Sequence, residues 1–323
     1  MRDALLTVRD LKIYYRTLYG YVKAVDGVTF ELRDGEVLGI AGESGCGKST
    51  LGNGLVLLKP PMKYVGGEAI LDGKNIMALS QREIKRIRYE KISIIPQYAM
   101  DALNPTKKIK QIVDDLLREH NSSFEEKREL IEERLAIVNL SKKVLNMYPI
   151  ELSGGMKQRL VMVISTLMNP DVLVADEITS ALDVSTQRSV VQMLYEMKEK
   201  KAMKSIIFIT HDLAVLYQIA DRIMVMYAGK VAEISPTEEI VRQPLHPYTK
   251  MLLASLPKIG VRFVNERLKG IPGYPPNLLN IGPGCRFRER CPKAFAKCEQ
   301  DPPIFDLNGR KVSCWLFERG DGR

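Results

Sequence analysis

The chain has 323 residues, of which 45% are hydrophobic and 27% charged, and its mean hydropathy is −0.12. These values are ordinary for a soluble globular protein and exclude a disordered, collagenous or fibrous chain. The net charge of +9 is compatible with polyanions such as nucleotides, nucleic acid or anionic lipid, although charge alone favours a solvated basic surface.

Hydrophobic periodicity predicts strands and helices that alternate along most of the chain. The predicted strands lie at 5–13, 24–32, 37–41, 92–96, 171–176, 205–210 and 222–228. The predicted helices lie at 49–58, 107–120, 124–140, 154–168, 183–200 and 212–220. Ser123 and Glu126 form a capping-box pattern at the start of the third helix. The alternation indicates a mostly parallel sheet with helices on its faces.

The composition changes near Pro257. The last 66 residues hold 13 Lys and Arg against 7 Asp and Glu, so +6 of the +9 lies there, with four of the five cysteines. We therefore predict a domain at 1–256 and a C-terminal appendage at 257–323. The longest apolar run, 160–168, is too short to span a membrane. The first residues lack the apolar core of a signal peptide, so we expect a protein that stays inside the cell.

A glycine-rich loop follows the buried strand at 37–41 and precedes a helix. Its sequence matches G-x-x-x-x-G-K-[ST], in the structural context that this phosphate-binding motif requires. The glycines let main-chain N–H groups face phosphate oxygens, Lys48 reaches the β- and γ-phosphates, and the Ser49 hydroxyl binds Mg²⁺. The candidate phosphate-binding residues are Gly42, Ser44, Gly45, Cys46, Gly47, Lys48, Ser49 and Thr50.

Two carboxylates end the buried strand at 171–176. Beside a phosphate loop, Asp176 can complete the Mg²⁺ shell, and Glu177 is placed to polarise an attacking water. In isolation, the pair would be explained better as two acids at the end of a strand. Together with the phosphate loop, it predicts a hydrolytic site.

The segment Leu152-Ser153-Gly154-Gly155-Met156-Lys157-Gln158-Arg159 opens a helix with uncapped N–H groups, which is a second anion site. Together with the preceding motifs, it closely resembles the signature of ABC-type ATPases. The resemblance implies a P-loop NTPase core with a mostly parallel sheet. It also implies an antiparallel β subdomain at the N-terminus, a helical subdomain at about 98–168 and a small irregular C-terminal region.

The same resemblance assigns further site residues. Gln97 corresponds to the glutamine that contacts Mg²⁺ and water, Asp183 to the D-loop, and His211 to the histidine that contacts the γ-phosphate. Tyr15 is the best candidate to stack on adenine, with Tyr14, Tyr19 and Tyr21 as competitors. Packing explains this aromatic cluster equally well.

Several segments resemble the oligopeptide/dipeptide importer branch of the family. They are residues 97–105, the stretch Leu245-His246-Pro247-Tyr248-Thr249, and the tail around 271–276 and 284–287. In this branch some members hold a 4Fe–4S cluster by four cysteines, and this tail has Cys285, Cys291, Cys298 and Cys314. Four clustered thiols also fit a structural Zn²⁺, and free thiols remain a third alternative. Nearby basic residues such as Arg286 and Arg290 could offset thiolate charge or form a solvated loop.

The resemblance implies an ATP-hydrolysing subunit on the cytoplasmic face of the membrane, which powers import of a peptide or oligosaccharide by dimer closure and opening. The implied partners are a second ABC ATPase subunit, two membrane permeases and an extracytoplasmic solute-binding protein, with no nucleic acid. The alternative is a non-transport ABC-type ATPase that acts on DNA. Such proteins tend to carry a long coiled coil between the phosphate loop and the signature, and this sequence has no sustained heptads there.

Overall fold

The computed structural model describes residues 4–99, 103–180, 183–256, 270–279 and 281–318. Its strands are β1 (Ala4–Thr17), β2 (Gly20–Arg33), β3 (Val37–Ala41), β4 (Met62–Leu71), β5 (Lys74–Asn75), β6 (Ile92–Ile95), β7 (Val172–Asp176), β8 (Ser205–Ile209), β9 (Arg222–Tyr227), β10 (Lys230–Pro236), β11 (Phe305–Leu307) and β12 (Arg310–Val312). Its α-helices are α1 (Lys48–Val56), α2 (Gln81–Ile87), α3 (Ile109–Glu119), α4 (Arg128–Ile137), α5 (Gly154–Thr166), α6 (Val184–Glu199), α7 (Leu213–Ile219), α8 (Thr237–Arg242) and α9 (Pro247–Ala254).

The chain divides into two compact units. Unit 1 comprises Met1–Leu5, Leu32–Glu36 and Ala78–Phe208. Unit 2 comprises Leu6–Glu31, Val37–Met77 and Ile209–Arg323. The described residues of the C-terminal region therefore belong to unit 2. The domain boundary at 257 stays a prediction, because residues 257–269 lie outside the described ranges.

Unit 1 is built on the strand order β8-β7-β6, in which β6 and β7 pair in parallel. All residues of β7 and β8 are buried, as expected of strands covered on both faces. The predicted capping-box bonds form, with Ser123 N donating to Glu126 Oε2 at 3.1 Å and Glu126 N to Ser123 Oγ at 3.4 Å. However, α4 begins only at Arg128, because the intervening residues form turns.

Unit 2 contains an antiparallel sheet with the strand order β2-β1-β4-β5 and a mixed sheet with the order β11-β12-β10-β9-β3. In the mixed sheet β3 and β9 are parallel, whereas β10 pairs antiparallel with both β9 and β12. The predicted combination of an antiparallel N-terminal sheet, parallel strands and helices is confirmed.

The helices between the phosphate loop and the signature are short. α2, α3 and α4 have 7, 11 and 10 residues, so the described residues between 50 and 153 contain no long coiled coil of the kind that the DNA-acting alternative requires. No helix in the described ranges is long and apolar enough to cross a membrane.

Candidate nucleotide-binding site

The phosphate loop lies in unit 2 between β3 and α1, as predicted. All three of its glycines have positive φ angles, 147° at Gly42, 76° at Gly45 and 104° at Gly47. A Cβ atom at Gly42 would lie 2.2 Å from Met226 O, and one at Gly47 would lie 2.0 Å from Ala24 O. Only glycine fits both positions, since a side chain would have to occupy space filled by main chain. Gly47 is also the N-cap of α1 and provides no side-chain acceptor for the first turn, as is typical of a helix start that binds a phosphate.

Lys48 points back into this loop. Its Nζ donates to Gly42 O at 2.8 Å and to Glu43 O at 3.1 Å, and the residue is only 4% exposed. Cys46 is buried beside it, and burial raises the pKa of its thiol. The assignment of Cys46 to the phosphate-binding residues stays a prediction. Ser44 and Gly45 are exposed at the tip of the loop.

The tyrosines near the loop differ in their surroundings. Tyr15 Oη lies 3.0 Å from Thr50 Oγ1 in the first turn of α1. Tyr14 donates its hydroxyl to Asp26 at 2.5 Å, and burial together with this bond raises its pKa. Tyr19 and Tyr21 are 86% and 44% exposed. These positions favour Tyr15 among the four as the residue nearest the phosphate loop.

The paired carboxylates lie in unit 1, at the end of β7. Asp176 is 1% exposed, and Glu177 follows it with a φ of 47°, which is rare for a residue with a side chain. Gln97 Nε2 donates to Glu177 Oε2 at 2.9 Å, so the structure brings together two residues predicted to act on the attacking water. Backbone strain of this kind concentrates at functional sites.

The signature segment also lies in unit 1 and caps α5. Ser153 Oγ accepts the main-chain N–H of Met156 at 3.3 Å, and Ser153 and Gly154 are exposed. Further along the helix, Gln158 is buried, and its side-chain amide donates to the carbonyl of Ile178. This bond ties the signature helix to the segment directly after Glu177.

Asp183 and His211 lie at helix starts. The Asp183 carboxylate caps α6 by accepting N–H bonds from Ser185 at 3.0 Å and Thr186 at 3.1 Å, and bonds from their hydroxyls. These bonds hold the pKa of Asp183 well below its ordinary value. His211 is exposed directly after Thr210, at the end of β8. The remaining D-loop residues 181 and 182 lie outside the described ranges.

The four tail cysteines are free thiols in unit 2. Burial raises the pKa of Cys314 to about 11, and the charges of the other three act in the same direction. Cys285 N–H donates to Cys298 O at 2.9 Å, so these two residues are adjacent. However, the described residues contain no group of three or more His, Cys, Asp or Glu side chains arranged to hold a metal ion. The predicted cluster is thus unsupported by the ligand geometry.

Three basic residues near these cysteines form ion pairs with carboxylates. Neither explanation given for them from the sequence, neutralisation of thiolate charge or a solvated loop, predicts such pairs. Arg286 contacts Asp26, Arg290 contacts Glu43 and Lys297 contacts Glu318. Sequence reasoning missed these contacts. Tyr248 also contacts the phosphate loop, where it accepts the main-chain N–H of Glu43. In the sequence, the His246-Pro247-Tyr248 stretch singled out this tyrosine but did not indicate the contact.

Comparison with known proteins agrees with this arrangement. Residues 25–180 match the model of the ABC transporter family, and residues 232–298 match the oligopeptide/dipeptide transporter C-terminal region. The dipeptide transport ATP-binding protein DppD of Caldanaerobacter subterraneus is 39% identical over 98% of this chain and 98% of its own length. The chain belongs to the ABC transporter family of ATPases.

A second relative and two solved structures support this assignment. The oligopeptide transport ATP-binding protein OppD of Escherichia coli is 40% identical over 97% of this chain and 93% of its own length. A dimeric ATP-binding cassette, MJ0796, bound to ADP and phosphate, is 28% identical. The match covers 72% of the present chain and 98% of the MJ0796 chain, with a TM-score of 0.63. The cbiO1 subunit of an ABC transporter complex from Clostridium perfringens is 26% identical. The match covers 75% of the present chain and 92% of the cbiO1 chain, with a TM-score of 0.64.

Proposed function

We propose that this ABC ATPase powers the import of peptides through partner membrane permeases. The observation that carries the proposal is the full-length likeness to the dipeptide and oligopeptide transport proteins DppD and OppD, which includes the C-terminal region. An oligosaccharide importer is the less supported alternative, since the two relatives are named for peptides.

The residue roles follow from the family resemblance and from the chemistry of each side chain. Lys48, whose Nζ donates into the loop, and the main-chain N–H groups at the start of α1 hold the β- and γ-phosphates. Ser49 and Asp176 supply the hard oxygen ligands that suit Mg²⁺, which neutralises phosphate charge when bound. Glu177 takes the proton of the attacking water, Gln97 orients that water and His211 contacts the γ-phosphate. Tyr15 stacks on the adenine.

The signature acts on a nucleotide held by a second ATPase subunit. Its helix start, where Ser153 and Gly154 are exposed, is the positive end of the α5 dipole and suits an anion. Nucleotide binding closes the pair of subunits, with Asp183 near their contact, and hydrolysis reopens it. The dimeric state of MJ0796 bound to ADP and phosphate supports such a cycle for the fold. We propose a heterodimer with a related ATPase.

The remaining partners follow from the transport role. Two permease subunits form the membrane path, this chain lies on their cytoplasmic side, and an extracytoplasmic binding protein delivers the solute. The segment after Gln97 transmits closure to the permeases. Its residues 100–102 lie outside the described ranges.

We further propose that the four tail thiols hold a 4Fe–4S cluster, with Zn²⁺ as the alternative. The presence of all four cysteines in unit 2 and the chemistry of four sulfur donors support this. Iron, acid-labile sulfide and zinc measured on anaerobically purified protein test it. About four irons and four sulfides per chain are expected. Stoichiometric zinc would replace the cluster, and no metal at all would overturn both.

The transport role is tested in cells that lack the gene. Restoring the chain is expected to restore uptake of a labelled dipeptide but not of a labelled oligosaccharide, and a Glu177→Gln variant is expected to restore neither. Uptake of the oligosaccharide alone would overturn the peptide assignment. Purified protein with its partners that hydrolyses no ATP in the presence of Mg²⁺ would overturn the proposal as a whole.

A further inference from the structure

Glu43, the second residue of the phosphate loop, is held by two residues from the C-terminal part of the chain. Its main-chain N–H donates to Tyr248 Oη at 2.9 Å. Its carboxylate accepts Arg290 Nη1 at 2.7 Å and Nη2 at 3.0 Å. The side chain of Arg290 is 5% exposed and that of Glu43 is 24% exposed. A two-pronged, largely buried pair of this kind fixes orientation as well as adding energy.

Arg290 is itself locked in place. Besides its two bonds to Glu43, its guanidinium donates from Nε to Pro272 O at 2.8 Å, from Nη2 to Ile271 O at 3.2 Å, and from Nη1 to Tyr227 Oη at 3.1 Å. The five N–H donors of an arginine are thereby all engaged. The position of the Glu43 carboxylate is therefore set by the C-terminal region around residues 271–290.

Tyr248 is fixed equally well. It is fully buried at the start of α9, where its N–H donates to His246 Nδ1 at 3.0 Å. Its ring packs against Tyr227 and Phe287, with ring centroids 4.6 and 5.3 Å away. The His-Pro-Tyr stretch therefore starts a helix and presents one hydroxyl to the phosphate loop.

We propose that Arg290 and Tyr248 are positioning residues that preorganise the phosphate loop, so that the C-terminal region sets the affinity of this chain for ATP. Glu43 links the two, because its carbonyl also accepts Lys48 Nζ at 3.1 Å. A loop held in one conformation loses less conformational freedom when a phosphate binds. The inference rests on the proposed function, namely that this loop binds ATP.

The test measures ATP binding to the full chain by calorimetry with Mg²⁺, together with KM and kcat for hydrolysis. Arg290→Gln removes the charged bonds and is expected to raise Kd and KM for ATP by roughly tenfold, with kcat within about twofold of the wild type. Tyr248→Phe removes only the hydroxyl and keeps the buried ring, so it is expected to give a smaller rise in Kd without loss of folding. Arg290→Lys keeps the charge and is expected to lie between the wild type and Arg290→Gln.

The matched control is Arg288→Gln, in the same short turn. Arg288 donates to Pro283 O at 3.1 Å, and ATP affinity is expected to be unchanged in its variant. A cycle with Glu43→Gln completes the design: if Arg290 acts through Glu43, the double variant binds ATP no more weakly than Arg290→Gln alone.

The outcomes separate the two proposals. A wild-type chain that binds no ATP would overturn the proposed function and this inference with it. A wild type that binds ATP, with variants of equal affinity, would overturn the inference alone. A lower unfolding temperature with unchanged Kd and KM would do the same, because the contacts would then stabilise only the fold. Additive losses in the cycle would show that Arg290 does not act through Glu43.

Discussion

Replacing Glu177 by Gln separates nucleotide binding from hydrolysis. The two side chains have the same shape, and an amide oxygen can accept the bond that Glu177 Oε2 takes from Gln97 Nε2 at 2.9 Å. The weaker bond changes stability by about 1 kcal/mol. Loss of a general base costs about 10²- to 10⁴-fold in rate, or roughly 3–5 kcal/mol of activation free energy. The loss of basicity therefore dominates, and ATP is expected to bind but not turn over.

The assay follows phosphate release at saturating ATP and, in parallel, dimer formation by size-exclusion chromatography with ATP and Mg²⁺. We expect the variant to accumulate a closed dimer while its hydrolysis rate falls by orders of magnitude. Glu199→Gln, an exposed change of the same charge at the end of α6, is the control. Turnover within about threefold of the wild type would refute the role of Glu177 as the base.

Three further variants test residues of unit 2. Lys48→Ala removes the donor that faces the loop interior, so Kd for ATP is expected to rise by at least about tenfold in calorimetry, and unchanged affinity would contradict the role of Lys48. Burial lowers the pKa of His246 to about 4, so the unfolded chain binds this proton first as the pH falls. Stability is therefore expected to be full above about pH 6.5 and to decline toward pH 4 by up to about 3 kcal/mol, as measured by urea unfolding. His246→Asn, which keeps a capping acceptor, should flatten that decline, and an unchanged slope would assign it to other groups. Phe287→Ala, at a site 2% exposed, is expected to lower the free energy of unfolding by about 3–5 kcal/mol, and a loss below about 1 kcal/mol would contradict the packing described for it.

Local patterns made the phosphate loop and the strands around it predictable. The motif 42–50 carries its own context, since a buried strand and a helix must flank it, and both are found as β3 and α1. Asp176 and Glu177 were predictable for the same reason, as polar residues that end an apolar run. Asp183 and Ser153 illustrate the remaining ambiguity, because the residue types that cap helices are also those that contact nucleotides.

Elements without a clear local pattern of polar and apolar residues were not predicted from the sequence. β4 contains Gly66 and Gly67, which interrupt its alternation, and its pairing with β1 shifts register near Lys12. β10 is almost wholly buried, so its sequence shows little alternation of polar and apolar residues. α8 has only six residues, less than two turns. In each case, packing against other elements specifies the structure, and the segment alone does not.

The cysteines show the limit of spacing as an argument. Clustering in the sequence predicted that the four thiols share one region, and all four lie in unit 2, with Cys285 N–H bonded to Cys298 O. Ligand geometry is a finer property, because a metal site requires each sulfur to point at one centre within a few tenths of an ångström. Spacing fixes how far apart two residues can lie, not where their side chains point.

Glu43 shows why a sequence motif does not predict every contact of the phosphate loop. It occupies a position that the phosphate-loop pattern leaves open to any residue, so the motif alone assigns it nothing. The structure joins it to Arg290, 247 residues further along the chain, and to Tyr248, 205 residues further. The lysine position of the loop is constrained by the phosphate, and Gly42 and Gly47 are constrained by neighbouring main chain. The side chain at an open position is constrained by what packs against the loop. In this chain that neighbour is the C-terminal region. The identity of residue 43 should therefore be coupled to residue 290, which contacts its carboxylate, whereas Tyr248 contacts its main-chain N–H. The Glu43–Arg290 cycle measures that coupling directly.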